Sequence, residues 1–151
     1  AVLCAGAIER PLAFPDNDRP GVMLAGAVRA YLNHWGVAAG RRVVVYGSND
    51  DAHRTARDLH AAGVGVAALV DTRAEAAPAE AAWPVLTGAR VTGTRGRLGL
   101  DRVSVEGLQG KQDFEADCLA VSGGWSPSLH LTCHLGAKPL WDERLRAFLP
   151  R

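Results

Sequence analysis

The sequence predicts an α/β fold with a parallel sheet and a β-meander, and three observations carry that expectation. Val43-Val44-Val45-Tyr46 is an unbroken, largely β-branched run, as a parallel strand covered on both faces requires. Gly47 follows at once, then a helical segment over 50–62, then a second apolar run over 64–70 that ends on Asp71. From Ala89 to Phe114 the period changes. Short segments around Val91, Val103–Val105 and Phe114 are separated by Gly93, Gly96, Gly99, Gly107 and Gly110, the spacing of antiparallel strands joined by turns. Strand, glycine turn, helix and strand make a βαβ unit with a right-handed crossover. The layering is therefore Rossmann-like, in three layers.

Taken in order, residues 1–5 are a short apolar run ended by Gly6, and Pro11, Pro15 and Pro20 then mark an irregular connector. The spacing of Leu24, Val28, Tyr31, Leu32 and Trp35 predicts a packing helix over 21–35, stopped by Gly36. Asp50 or Asp51 is the expected N-cap of the next helix, which carries Ala52, Ala56 and Leu59 on one side and stops at Gly63. An alanine- and glutamate-rich stretch over 74–82 has helical composition, although Pro78 interrupts it. Val85-Leu86-Thr87 is the expected third strand, and 116–122 is a buried strand stopped by Gly123-Gly124. A short helix is expected over 142–148.

Composition narrows the function. With 17 basic and 16 acidic side chains among 151 residues, the net charge is +1, and no basic run or basic-aromatic stripe invites nucleic acid. No apolar segment reaches the roughly 18 residues of a membrane span. Cys4, Cys118 and Cys133 are odd in number and far apart, which points to reduced thiols in a cytoplasmic protein. The chain opens without Met on what reads as the middle of a buried strand, so the expectation is a piece of a larger protein.

The chemistry-bearing motif is Gly47-Ser48-Asn49-Asp50-Asp51-Ala52, a variant of the dinucleotide fingerprint reading G-x-N-x-x-A. Its glycines serve a tight turn, close approach of pyrophosphate to the backbone, and tight helix–strand contact. Gly47 makes the turn and Ala52 is an accepted third residue. Asn49 places a side chain where phosphate oxygens lie, so Asn49→Gly is expected to raise nucleotide affinity if that side chain is the obstruction. Asp71 stands where a carboxylate takes the adenosine ribose hydroxyls, favouring NAD over NADP, and Thr72 and Arg73 complicate that preference. Two further glycine turns, at Gly6 and at Gly123-Gly124, follow apolar runs and would admit a cofactor at a switch point. The candidate cofactor-binding residues are thus Gly6, Gly47, Ser48, Asn49, Asp71, Gly123 and Gly124. His130 and His134 would share a helix face, yet no second ligand pair at zinc spacing exists, and they read as surface or interface histidines. Cys118 reads as inert packing. No catalytic constellation and no metal site is expected.

The segments CAGAIERPLAFPDNDRPGVMLAGAVRAYLN, VVVYGSNDDAHRTA and ADCLAVSGGWSPSLHL closely resemble the alpha-subunit family of bacterial heterotetrameric sarcosine oxidases, over essentially the whole chain. Similar subunits occur in opine oxidases, amino-acid dehydrogenase complexes and hydrogen cyanide synthase. The resemblance implies the two-dinucleotide-binding flavoprotein class, in which a second Rossmann domain is inserted within the first. Residues 1–40 would then be connector and helix from the first domain, 41–118 the inserted domain, and 119–151 the return strand and C-terminal segment. It further implies NAD held with the first domain, whose intact fingerprint lies upstream, and FAD and FMN in the parent complex. The implied partners are the other subunits of a hetero-oligomeric amine oxidase and the missing first domain. The implied activity is oxidative demethylation of sarcosine with oxygen as acceptor, tetrahydrofolate collecting the one-carbon unit, and the fragment alone is expected to be inactive. A second expectation, of another class, is a structural Rossmann-like module that binds no nucleotide.

Overall fold

The computed structural model describes residues 2, 4–76 and 81–150. Along the chain, Ala7–Glu9 (β1) and Val22–Leu24 (β2) precede the helix Ala25–Trp35 (α1). The βαβ unit follows as Arg42–Gly47 (β3), Asp50–Ala61 (α2) and Gly65–Asp71 (β4), with Val85–Thr87 (β5) beyond it. Arg90–Arg95 (β6), Arg102–Gly107 (β7) and Gly110–Glu115 (β8) form an antiparallel meander, and Cys118–Ser122 (β9) returns the chain to the main sheet. Trp125–Pro127 (β10), His130–His134 (α3), Leu140–Asp142 (β11) and Ala147–Leu149 (β12) complete it.

Among the described residues, five strands form a parallel sheet in the order β2-β9-β3-β4-β5. The central strands are buried on both faces, and their two-residue period divides the core. Val43 and Val45 point toward α1 and α2, where they pack with Val28, Ala56 and Leu59. Val44 and Tyr46 point the other way, onto Val91, Val103 and Val105 of the meander. Helices, parallel sheet and meander are thus three layers, as the sequence predicts, and each face of the sheet has its own apolar cluster. Helix α1 ends on Gly36 at φ 63°, with the Gly36 and Val37 amides donating to Leu32 and Tyr31.

Four local expectations change. The helix expected over 21–35 begins only at Ala25, because Val22–Leu24 pairs in parallel with Leu119–Val121 and extends the sheet. The helix expected over 142–148 is instead a hairpin, β11 against β12. The Leu145 amide donates to the Asp142 carboxylate (2.8 Å), Arg146 sits at φ 49°, and Trp141 packs edge-on against Phe148 across the strands. An aspartate at the head of such a segment closes a turn as readily as it caps a helix. The opening run holds no strand at Val2, Cys4 or Ala5, which are exposed, and pairing starts at Ala7; residues 1 and 3 lie outside the described residues. Of the stretch 74–82, the described residues 74–76 and 81–82 are not helical, and 77–80 lie outside the described residues.

Candidate functional site

The carboxyl ends of β9, β3 and β4 lie side by side, with Ser122 opposite Gly47 and Gly47 opposite Asp71. This edge carries all the candidate residues except Gly6. Gly6 stands at the head of β1, where its carbonyl accepts from the Ser128 amide (3.0 Å), and it does not line the cleft described below.

Gly47 is required by close approach. A Cβ there would overlap the Ala52 methyl and stand 3.1 Å from the Ser122 carbonyl oxygen, so the glycine lets α2 sit tight on the sheet. Asn49, in extended backbone (φ −156°), is the N-cap of α2, and the cap is not at Asp50 or Asp51. Its Oδ1 accepts from the Asp51 amide (2.9 Å), and its Nδ2 donates to the Ser122 carbonyl (3.0 Å) and hydroxyl oxygens (3.2 Å). The side chain that interrupts the fingerprint therefore ties helix to return strand. The tie continues inward. Ser122 Oγ donates to Glu9 Oε1 (2.7 Å), and Glu9 Oε2 accepts from the Gly26 amide (2.7 Å) in the first turn of α1. Glu9, Ser122 and Asn49 thus join β1, β9 and the starts of both long helices in one largely buried polar chain.

Asp71 is fully buried at the end of β4. Its Oδ1 accepts from the Arg73 amide (2.8 Å), and its Oδ2 accepts from Arg73 Nη2 (2.9 Å) and His53 Nε2 (2.7 Å). Arg73 also reaches Asp50 (2.9 Å), closing the corner between α2 and β4. Burial pushes the Asp71 carboxyl up, but the hydrogen bonds from the Arg73 side chain and amide and from His53 outweigh it, holding it below the ordinary carboxylate value. The same bonds raise the Arg73 guanidinium. Both carboxylate oxygens are occupied within the chain.

The other half of the edge is open. A cleft of about 800 Å³ runs from Ser48 and Asn49, past Gly123 and Gly124, to the β11–β12 hairpin. Arg10, Arg144 and Arg146 line it, with Trp125 as part of an apolar wall. Sequence reasoning overlooked Arg10, Glu9 and His53. Arg10 had a local signal, a charged residue between a glycine turn and Pro11, whereas His53 and Asp71 meet only through the packing of α2 on β4. Gly123 has no room for a side chain, since a Cβ there would come within 2.7 Å of the Arg10 and Pro11 carbonyl oxygens. Elsewhere, burial, helped by Asp117, pushes the Cys118 thiol up to about 12, consistent with inert packing. His130 and His134 lie exposed on the single turn of α3. Among the described residues no three His, Cys, Asp or Glu side chains are grouped to hold a metal, and no helix is long and apolar enough to cross a membrane.

No family model matches the chain. Curated relatives do. The sarcosine oxidase subunit alpha of Rhizobium meliloti (strain 1021) is 44% identical over 99% of this chain, and that of Corynebacterium sp. (strain P-1) is 46% identical over 99% of it. This chain matches one segment of sarcosine oxidase alpha subunits. It spans 15–17% of the length of these relatives. Among solved structures, L-proline dehydrogenase from P. horikoshii aligns with TM-score 0.71 at 20% identity, covering 97% of this chain and 25% of that one. Thioredoxin reductase from T. acidophilum aligns at 0.68 and 18% identity, covering 92% and 48%. At such identities these structures establish the fold alone, the three-layer, Rossmann-like α/β type expected from the sequence. The sarcosine oxidase resemblance read from the three sequence segments is the one that the relatives carry.

Proposed function

We propose that the chain is the dinucleotide-type segment of a sarcosine-oxidase-type alpha subunit, in a parent complex that oxidatively demethylates sarcosine. The carrying observation is the 43–46% identity to sarcosine oxidase alpha subunits across 99% of the chain. The segment supplies no catalytic residue. Among the described residues, the acid–histidine pair of buried Asp71 and part-buried His53 is closed on itself and on Arg73, with no carboxylate oxygen left for a substrate proton. NAD is assigned to the parent subunit, FAD and FMN to the parent complex, and the partners are the other subunits and a first dinucleotide-binding domain. The bounds carried over are 1–40 for the connector and helix, 41–118 for the insertion and 119–151 for the return strand and C-terminal segment. The membership of β2 and β9 in the β3–β4–β5 sheet supports drawing the structural unit wider than the insertion alone. A cytoplasmic setting is in keeping with exposed, unbridged Cys4 and Cys133.

Toward a dinucleotide, the residues differ along the sheet edge. Gly123 and Gly124, in a cleft lined by Arg10, Arg144 and Arg146 and by no acidic residue among the described ones, suit a phosphate-bearing ligand. Asp71 does not suit a ribose, because its oxygens are taken; Gly47, Ser48 and Asn49 form the joint between the two halves. The test is sarcosine-dependent oxygen uptake by the full chain assembled with its partner subunits. Turnover of sarcosine by the assembly, absent from this chain alone, is expected. Turnover of an opine or another amino acid with sarcosine inert would contradict the assignment.

A further inference from the structure

We infer that Glu9 is the pin of a hinged lobe, and that this pin sets the width of the cleft between the Ser48–Asn49 turn and the β11–β12 hairpin. The lobe consists of β1, β10, α3 and the hairpin, within residues 7–9 and 125–149. Among the described residues its strands pair only with one another, β1 with β10 and β11 with β12, and none joins the five-stranded sheet or the meander. The lobe also has almost no core of its own. Among its described residues Glu9 and Ala147 alone are buried, while Ile8, Leu135, Leu140, Trp141 and Phe148 stand exposed. Apolar packing therefore does little to fix its orientation, and particular hydrogen bonds must do so.

The chain crosses between lobe and body twice, at Arg10–Pro11 and at Gly123–Gly124. The crossings are tied to each other. The Arg10 amide donates to the Gly124 carbonyl (2.8 Å), and the Gly123 amide donates to the Arg10 carbonyl (2.7 Å). A narrow two-stranded ribbon of this kind twists as one piece, and Gly124, at φ 93°, has no Cβ to resist the change.

Two side chains stop that ribbon from turning. Glu9 and Trp125 stand opposite each other across the β1–β10 pair, and both reach into the body. The Glu9 carboxylate accepts from Ser122 Oγ (2.7 Å) and from the Gly26 amide (2.7 Å), while Trp125 donates its Nε1–H to Asp51 (2.5 Å) in the first turn of α2. Glu9 is the firmer of the two, since its bonds are buried and the Trp125 bond is open to water. Gly26 makes room for both. A Cβ there would stand 2.6 Å from Glu9 Oε2 and 3.4 Å from the Trp125 ring. The cleft lies between the parts so joined, with Ser48 and Asn49 lining it from the body and Pro127, Arg144 and Arg146 from the lobe. A turn of the ribbon carries the hairpin away from the Ser48–Asn49 turn, and the seated Glu9 holds the cleft at about 800 Å³.

The test is the distance between lobe and α2, read by pulsed electron paramagnetic resonance in the full chain. One spin label goes on the exposed Cys133 of α3 and one on Arg57→Cys in α2, with Cys4→Ser so that no other exposed thiol competes. With Glu9 in place the distribution should be single and narrow. Glu9→Ala should broaden it by about twofold, whereas Glu9→Gln, which keeps an acceptor for the Gly26 amide, should leave it narrow. Gly26→Ala acts from the other side. Its methyl displaces the Glu9 carboxylate and should broaden the distribution as much, although alanine by itself favours the helix. A general loss of stability does not give that pattern, and thermal melting confirms that each variant is folded. A narrow distribution in folded Glu9→Ala or Gly26→Ala would overturn the pin, as would a broad one with Glu9 in place. Broadening in Glu9→Gln equal to that in Glu9→Ala would overturn the hydrogen bonds as its basis.

Discussion

The two ends of one sheet edge have opposite chemistry. At the end of β4 every strong polar group has a partner: Asp71 takes three side-chain and backbone donors, and Arg73 is shared between Asp71 and Asp50. At the end of β9, two strands away, the chain leaves a cleft, two glycines and a buried arginine donor without an acceptor. The first arrangement stabilises the fold and offers nothing to a ligand. The second leaves an open, arginine-lined cleft that a ligand can enter. Position at the carboxyl end of a parallel strand, the usual guide to cofactor sites, does not separate the two. Satisfaction of the polar groups does.

Removing the sealed end's carboxylate has the largest expected effect. Asp71→Ala leaves Arg73 and His53 without their common acceptor and should lower unfolding free energy by about 3 kcal/mol, measured in urea. A loss below about 0.5 kcal/mol would mean that the corner contributes little beyond geometry. Gly47→Ala comes next, at about 2 kcal/mol, because the new methyl meets Ala52 and forces α2 away from the sheet. Asn49→Ala removes the α2 cap and the tie to Ser122, at about 1–2 kcal/mol.

The sealed end also has a pH signature. The folded carboxyl of Asp71 lies below its unfolded value, so the stability it contributes is complete above the unfolded pKa near 4 and is lost as pH falls through the folded one. Thermal melts should show the Asp71→Asn variant losing less stability than the unaltered chain over that acidic range. Parallel curves would contradict the assignment. The smallest expected effect concerns Cys118. With its thiol pushed up to about 12 and its side chain buried, a thiol reagent at pH near 8 should label Cys4 and Cys133 promptly and Cys118 only on unfolding.

How much of this was legible in the sequence depended on how local the cause was. The strand 43–46, the helix after it, the strand ending at Asp71 and the meander all follow from residue patterns within a few positions, and they stand where expected. Val22–Leu24 is a strand only because Leu119–Val121 lies beside it, a partner nearly a hundred residues away. In 142–148 helical and hairpin periodicities are hard to tell apart in so short a run, and the Asp142 turn decides between them. The sequence pointed to Asn49 as an intrusion, correctly placing its side chain at the turn but missing that it caps α2. The Asp71–Arg73 pairing, two residues apart, was within reach of local reasoning as an Asx turn. The His53 contact and the orientation of Arg10 were not, since both depend on how separate segments pack.

The structure also alters the expectation for Asn49→Gly. Its side chain holds the helix cap and the β9 tie, and the Asp71 carboxylate, expected to take a ribose, is occupied by Arg73 and His53. The substitution should therefore leave nucleotide affinity unchanged within about threefold while lowering stability by about 1 kcal/mol.

The central claim, a sealed β4 end and a receptive β9 end, is tested most directly by hydrogen–deuterium exchange of the full chain with and without NAD. Protection is predicted in residues 119–127 and 144–149, with no change over 68–73. Protection over 68–73 with none at 119–127 would contradict it.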